Sequence, residues 1–131
     1  MDLDAAAGKK LLVVEDNAIT REGLATILES EGYSVILAAN GREALNLLRG
    51  GARPTLILMD MMMPTGDGWE FLEMRRQDRA LLSIPVLVTT AIGIASYDWA
   101  RALGACGILR KPIPANSLLE EVRRHCQEAC G

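Results

Sequence analysis

The residues Leu56-Ile57-Leu58-Met59 run without a break into a carboxylate, Asp60. A continuous apolar run bounded by turn residues reads as a strand buried on both faces, at the centre of a parallel sheet. Nothing in the packing of such a strand calls for an acid at its carboxyl end. In open α/β sheets, that end is where ligands bind. The stretch therefore constrains both the fold the chain can adopt and the place where its chemistry belongs.

The rest of the chain supplies matching units. Lys10 to Val14 reads as a first strand that also ends in acids, Glu15 and Asp16, with Asn17 as cap of a helix carrying Leu24, Ile27 and Leu28 and stopped by Gly32. Tyr33 to Ala39 reads as a second strand, and Asn40-Gly41 turns into a helix with Ala44, Leu45 and Leu48. After Asp60, a loop through Pro64 and Gly66 leads to a helix to about Gln77, with Asp67 as its cap and Trp69, Leu72 and Arg76 near one face. Ile84-Pro85 opens a fourth strand that ends at Thr90, and a weaker helix spans roughly Ser96 to Leu103. Cys106 to Arg110 reads as a fifth strand, followed by Lys111-Pro112 and a helix from about Ala115 with Leu118, Leu119, Val122 and Cys126 at helical spacing. Five alternations of strand and helix imply right-handed crossovers and a doubly wound parallel sheet. Met1 to Gly8 is small and polar and reads as a flexible tail, so one domain is expected over residues 9–131.

Composition narrows the function classes. A formal net charge of −3 argues against a protein that grips nucleic acid through a basic face. No apolar run has the length of a membrane span and no signal peptide is visible, so the cytoplasm is the expected location. The three cysteines, Cys106, Cys126 and Cys130, do not form a disulfide framework, and His125, Cys126 and Cys130 match no zinc spacing. His125 is expected on the surface of the last helix. A Gly-rich loop with Lys-Ser/Thr is missing, which excludes a P-loop nucleotidase.

Placed side by side, the strand ends bring Glu15, Asp16, Asp60, Thr90 and Lys111 to one rim of the sheet. Three carboxylates so close repel one another unless a cation lies among them. Magnesium suits such a site, because it needs only a few carboxylates and keeps several waters. A Mg²⁺ ion, a lysine and a threonine hydroxyl around one aspartate form the ensemble that phosphoryl transfer to a carboxylate requires.

The motifs Val13-Val14-Glu15-Asp16-Asn17, Ile57-Leu58-Met59-Asp60 with Met63-Pro64 and Asp67-Gly68, Thr90-Ala91 and Lys111-Pro112 occur in this order over about Lys9 to Glu128. In this the chain resembles the receiver domain of two-component response regulators, of the chemotaxis-regulator type. The resemblance implies a flavodoxin-like (βα)5 sheet in the order 2-1-3-4-5. It implies that Asp60 accepts a phosphoryl group from a histidine kinase or histidine phosphotransfer protein. It further implies Mg²⁺ held by Asp16 and Asp60, by Glu15 through water and by the Met62 backbone carbonyl, with Lys111 and Thr90 on the phosphoryl oxygens. A cis bond between Lys111 and Pro112 is implied as well. Such a protein is a phosphoacceptor and not an enzyme with an outside substrate. Its partners would be the phosphodonor and a downstream effector or a covalently linked output domain, met at the helix 4–strand 5–helix 5 face. No direct contact with nucleic acid or membrane is implied. The chain is expected to be a stand-alone receiver or one cut from a larger regulator or hybrid kinase.

Several positions depart from that pattern. Glu15 stands where the family more often has aspartate. Ile108 stands where it has an aromatic switch residue, so output without an aromatic flip is expected. Met62 and Ile92 are apolar at positions that border the path of attacking water, which favours a long-lived phosphoryl aspartate; simple packing by the methionines is equally compatible. Trp99 is expected to face solvent as a partner contact, or else to pack on its own helix's neighbours, and Trp69 to be packed. A haloacid-dehalogenase-type phosphatase would carry an aspartate at Met62. A phosphorylation-independent docking module, or pseudo-receiver, remains the alternative, although Asp16, Asp60 and Lys111 are all present.

Overall fold

A computed structural model describes residues 9–61, 67–91 and 96–127. The expectations placed on Met1 to Gly8, on Met62, on Ile92 and on the capping side chain of Asp67 lie outside the described residues. Five strands, β1 (Lys10–Val14), β2 (Ser34–Ala38), β3 (Leu56–Asp60), β4 (Val86–Thr90) and β5 (Gly107–Arg110), form one parallel sheet in the order β2-β1-β3-β4-β5. The connecting helices are α1 (Ala18–Ser30), α2 (Gly41–Arg49), α3 (Asp67–Arg76) and α4 (Tyr97–Ala102), and α5 (Ala115–Gln127) follows β5. A single helical turn, Arg79–Leu82, capped by the Asp78 carboxylate, stands between α3 and β4 and has no counterpart in the sequence pattern.

The flavodoxin-like order expected from the resemblance is the order found. Alternating side chains of the strands feed two cores. Leu12, Val14, Ile57, Met59, Val86 and Val88 pack with α2, α3 and α4 on one face. Leu11, Val13, Leu56, Leu58 and Leu87 pack with Leu24 and Leu28 of α1 and Leu118 and Val122 of α5 on the other. Every residue of β3 and β4 is buried, which is why these strands read as unbroken apolar runs. The predicted cap Asn17 accepts from the Thr20 backbone N–H at 2.9 Å, and Asn40 and Ser96 cap their helices in the same way, accepting from the Glu43 and Trp99 N–H groups at 2.8 and 3.2 Å. Gly32 takes φ 99° just beyond α1, a conformation that L side chains disfavour, and so ends that helix.

Two expectations are corrected, and the choice left open at Trp99 is decided. The buried face of α3 is Phe71, Leu72 and Arg75 rather than Trp69, Leu72 and Arg76; Trp69 is 43% exposed. Trp99 is half-buried and packs against the α2–α4 core, so packing, not solvent, claims it. His125 is also half-buried: it pairs with Glu121 at 3.2 Å and lies so close to β5 that a Cβ on Gly107 would stand 2.9 Å from its Nε2. The last helix turns this residue toward the sheet because β5 begins with a glycine.

Cys126 sits against the α1–α5 core. Burial pushes its thiol up to about 11, with the Lys9 ammonium opposing more weakly. A raised value favours the folded state below the ordinary thiol value of 9.0, and that contribution fades as pH rises from there through about 11. At pH 8 the folded chain should hold about a hundredfold less Cys126 thiolate than the unfolded chain. Iodoacetamide labelling mapped by mass should accordingly be slow at Cys126 until urea is added; equal rates in both states would contradict this.

Candidate functional site

The site grows from the carboxyl ends of β1, β3, β4 and β5, which a parallel sheet brings to one rim. At the end of β1 the chain leaves the sheet at Glu15, whose backbone N–H still donates to the Ala38 carbonyl at 3.1 Å. That last ladder bond keeps Glu15 buried and turned into the rim, while Asp16 is exposed. Arg21, one turn into α1, donates from Nη1 to the Glu15 carbonyl at 2.8 Å and to the Asp16 carbonyl at 3.5 Å, which fixes the turn between strand and helix. The Asn17 N–H donates to Glu15 Oε2 at 3.2 Å. Asp60, last in β3, is buried, and its neighbours in β4, Thr89 and Thr90, are buried too.

Lys111 joins these groups. Its N–H donates to the Thr90 carbonyl at 2.8 Å, which extends the β4–β5 ladder by one residue and carries the side chain over the rim. Its Nζ stands 2.8 Å from Glu15 Oε1 and 3.3 Å from Asp60 Oδ2. The Lys111–Pro112 bond is cis, as the resemblance implies. One carboxylate oxygen each from Glu15, Asp16 and Asp60 lies within 4.8 Å of the others. The structure thus brings together four of the residues read from the sequence, with Thr90 on the adjacent strand end. Met62 lies outside the described residues.

The electrostatics of this cluster are uneven. Burial pushes the Glu15 carboxyl above its ordinary value and the nearby Asp60 adds to the rise, while Lys111 and the Asn17 N–H pull against it. Burial alone would lower Lys111, but its hydrogen bond to Glu15 and its attraction to Asp60 outweigh this and hold the ammonium above its ordinary value. Three carboxylates facing one ammonium leave an excess of negative charge in a partly dry pocket. A hard divalent cation with oxygen ligands is the group that such a donor set fits. Among the described residues, the cluster consists of carboxylates and contains none of the thiol and imidazole ligands that softer metals prefer.

Sequence reasoning missed Arg21. An arginine in the first turn of a helix works against the helix dipole, and that mismatch was the available signal that its partner lies elsewhere.

The comparisons with known proteins agree with this geometry. A model of the response regulator receiver domain matches residues 11–123. The chain is 33% identical over 122 residues to the polar-differentiation response regulator DivK of Brucella anthropi, covering 92% of this chain and 98% of that protein. It is 34% identical to the probable transcriptional regulator ycf27 of Guillardia theta, of whose length it spans 47%. Among solved structures it resembles the chemotaxis response regulator CheY4 of Vibrio cholerae, with a TM-score of 0.79, 33% identity and coverage of 89% and 98% of the two chains. It also resembles the signal receiver domain of a histidine kinase from Syntrophus aciditrophicus, with a TM-score of 0.80, 33% identity and coverage of 92% and 91%. A parallel sheet in this order with an acid-and-lysine rim defines a signalling receiver module. The chain belongs to the response regulator receiver domain family of two-component signalling.

Proposed function

We propose that the chain is a phosphoacceptor switch in which Asp60 takes a phosphoryl group from a phosphohistidine of a histidine kinase or histidine phosphotransfer protein. The observation that carries this reading is the placement of Lys111 Nζ against both the buried Asp60 and Glu15. In the transfer, an Asp60 carboxylate oxygen forms the new O–P bond as the N–P bond of the donor breaks, and the electron pair returns to the imidazole nitrogen. Lys111 faces the charge on the phosphoryl oxygens, and the buried Thr90 hydroxyl donates to them. Glu15, Asp16, Asp60 and the Met62 carbonyl would hold Mg²⁺, which when bound supplies further neutralisation of those oxygens. The protein then acts on no outside substrate; it catalyses only its own phosphoryl uptake and loss, and its modified form changes partner binding at the α4–β5–α5 face. Ile108 at the usual aromatic position of β5 means that output proceeds without an aromatic flip.

The docking-module reading needs no cation, so a Mg²⁺ titration separates the two. Amide shifts should change saturably around Glu15, Asp16 and Asp60, and Asp16→Asn should weaken binding at least about tenfold, as expected for loss of a charged ligand. Unperturbed amides at millimolar Mg²⁺ would give the lead to the docking module.

A further inference from the structure

Trp69 and Trp99 are the chain's two tryptophans, and their rings meet edge to face with centroids 5.7 Å apart and planes at 79°. Each follows a site residue by nine positions, Trp69 after Asp60 and Trp99 after Thr90. The contact thus joins the first turns of the two helices that leave the site. Nothing in the transfer chemistry uses either ring.

Both helices are tied to fixed points. The backbone at Gly68 lies so close to the end of β3 that a Cβ there would stand 3.0 Å from the Asp60 carbonyl oxygen, which pins the start of α3 to the phosphoacceptor residue. At the opposite end, Arg75 of α3 donates to the carbonyl of Gly104, just beyond α4, at 3.3 Å. The far ends of α3 and α4 are therefore linked by a buried cation, and the near ends by an exposed-to-half-buried aromatic edge. Of the two links, the aromatic one is adjacent to the site and the weaker. A phosphoryl group on Asp60 must take space that Lys111 now spans, with its Nζ 3.3 Å from Asp60 and 2.8 Å from Glu15. Lys111 is bonded through its N–H to the Thr90 carbonyl at the end of β4, and Gly68 abuts the Asp60 carbonyl, so a displacement of Lys111 bears on the strand ends that lead to α4 and α3. Trp99 packs against the same core cluster as Ile108, and the fully buried Phe71 of α3 belongs to that cluster as well.

We propose that the Trp69–Trp99 contact reports the state of Asp60 to α4: it holds the unmodified arrangement and is given up when a phosphoryl group occupies the site. This inference rests on the phosphoacceptor reading. A coupling of this kind is reciprocal, so removing the contact must favour the occupied state. The probe is beryllofluoride with Mg²⁺, a non-covalent stand-in for the phosphoryl group, with occupancy read by fluorine NMR. Saturation should shift the tryptophan emission of the parent. Trp69→Leu and Trp99→Leu, neither of which removes a donor atom of the site, should each bind beryllofluoride about two- to tenfold more tightly, the range set by the worth of one aromatic pair. Equal or weaker affinity in both variants, with folding verified by circular dichroism, overturns the proposal. If the parent itself fails to bind beryllofluoride, the phosphoacceptor reading falls, and this inference falls with it.

Discussion

A Lys111→Met variant should gain a phosphoryl group from acetyl phosphate about 10²–10³-fold more slowly than the parent, the usual cost of losing one preorganised charge from a transfer site. Lys111 Nζ stands 3.3 Å from Asp60 Oδ2 and brings a positive charge to the phosphoacceptor. Methionine keeps the length of the side chain and removes the charge, so the loss reads the electrostatic role and not a cavity. The position is anchored independently by the Lys111 N–H to the Thr90 carbonyl, a bond that methionine retains. The rate of intact-mass gain measures the effect. A loss below about tenfold would assign Lys111 to holding Glu15 in place and would leave the phosphoryl oxygens to other groups.

The largest effect on stability is expected far from the site, at Arg75. This buried guanidinium donates to the Ile84 carbonyl from Nε at 3.1 Å and from Nη2 at 2.7 Å, to the Leu82 carbonyl at 3.1 Å and to the Gly104 carbonyl at 3.3 Å. It ties α3 to the turn before β4 and to the turn after α4. Arg75→Met fills similar volume but leaves those carbonyls without this donor, and a bond to a charged group contributes roughly 1.5–3 kcal/mol. Because the bonds are not additive, a total of about 3–4 kcal/mol is expected, at the upper end for single substitutions. In thermal unfolding this should appear as a Tm lower by roughly 10 °C for a domain of this size. Arg75→Lys should recover only part of it, since one ammonium cannot span three carbonyls. A change below about 1 kcal/mol in urea unfolding would show that water replaces the guanidinium at little cost.

The strands were legible because β3 and β4 are buried on both faces, so their sequences are unbroken apolar runs whose end is marked by Asp60 or Thr90. The grouping of Glu15, Asp16, Asp60 and Lys111 was legible for a topological reason: parallel strands bring all their carboxyl ends to one rim. What sequence reasoning misjudged are the residues whose environment depends on three elements at once. The helical pattern pointed to Arg76, and only the approach of the Leu82, Ile84 and Gly104 carbonyls makes its neighbour Arg75 the buried charge. Trp69, expected to be packed, is exposed because the first turn of α3 lies at the edge of the core, whereas α4 turns Trp99 against it and so decides between its two readings. His125 is covered because β5 opens with Gly107, which no helical periodicity in α5 reveals.

The account turns on Asp60 as phosphoacceptor, and intact mass after incubation with acetyl phosphate and Mg²⁺ tests it most directly. The parent should gain one phosphoryl group, lose that gain when EDTA is present, and show none when Asp60 is replaced by asparagine. A gain that persists in Asp60→Asn, or in the presence of EDTA, would contradict the account by placing the phosphoryl group elsewhere or removing the cation from its chemistry.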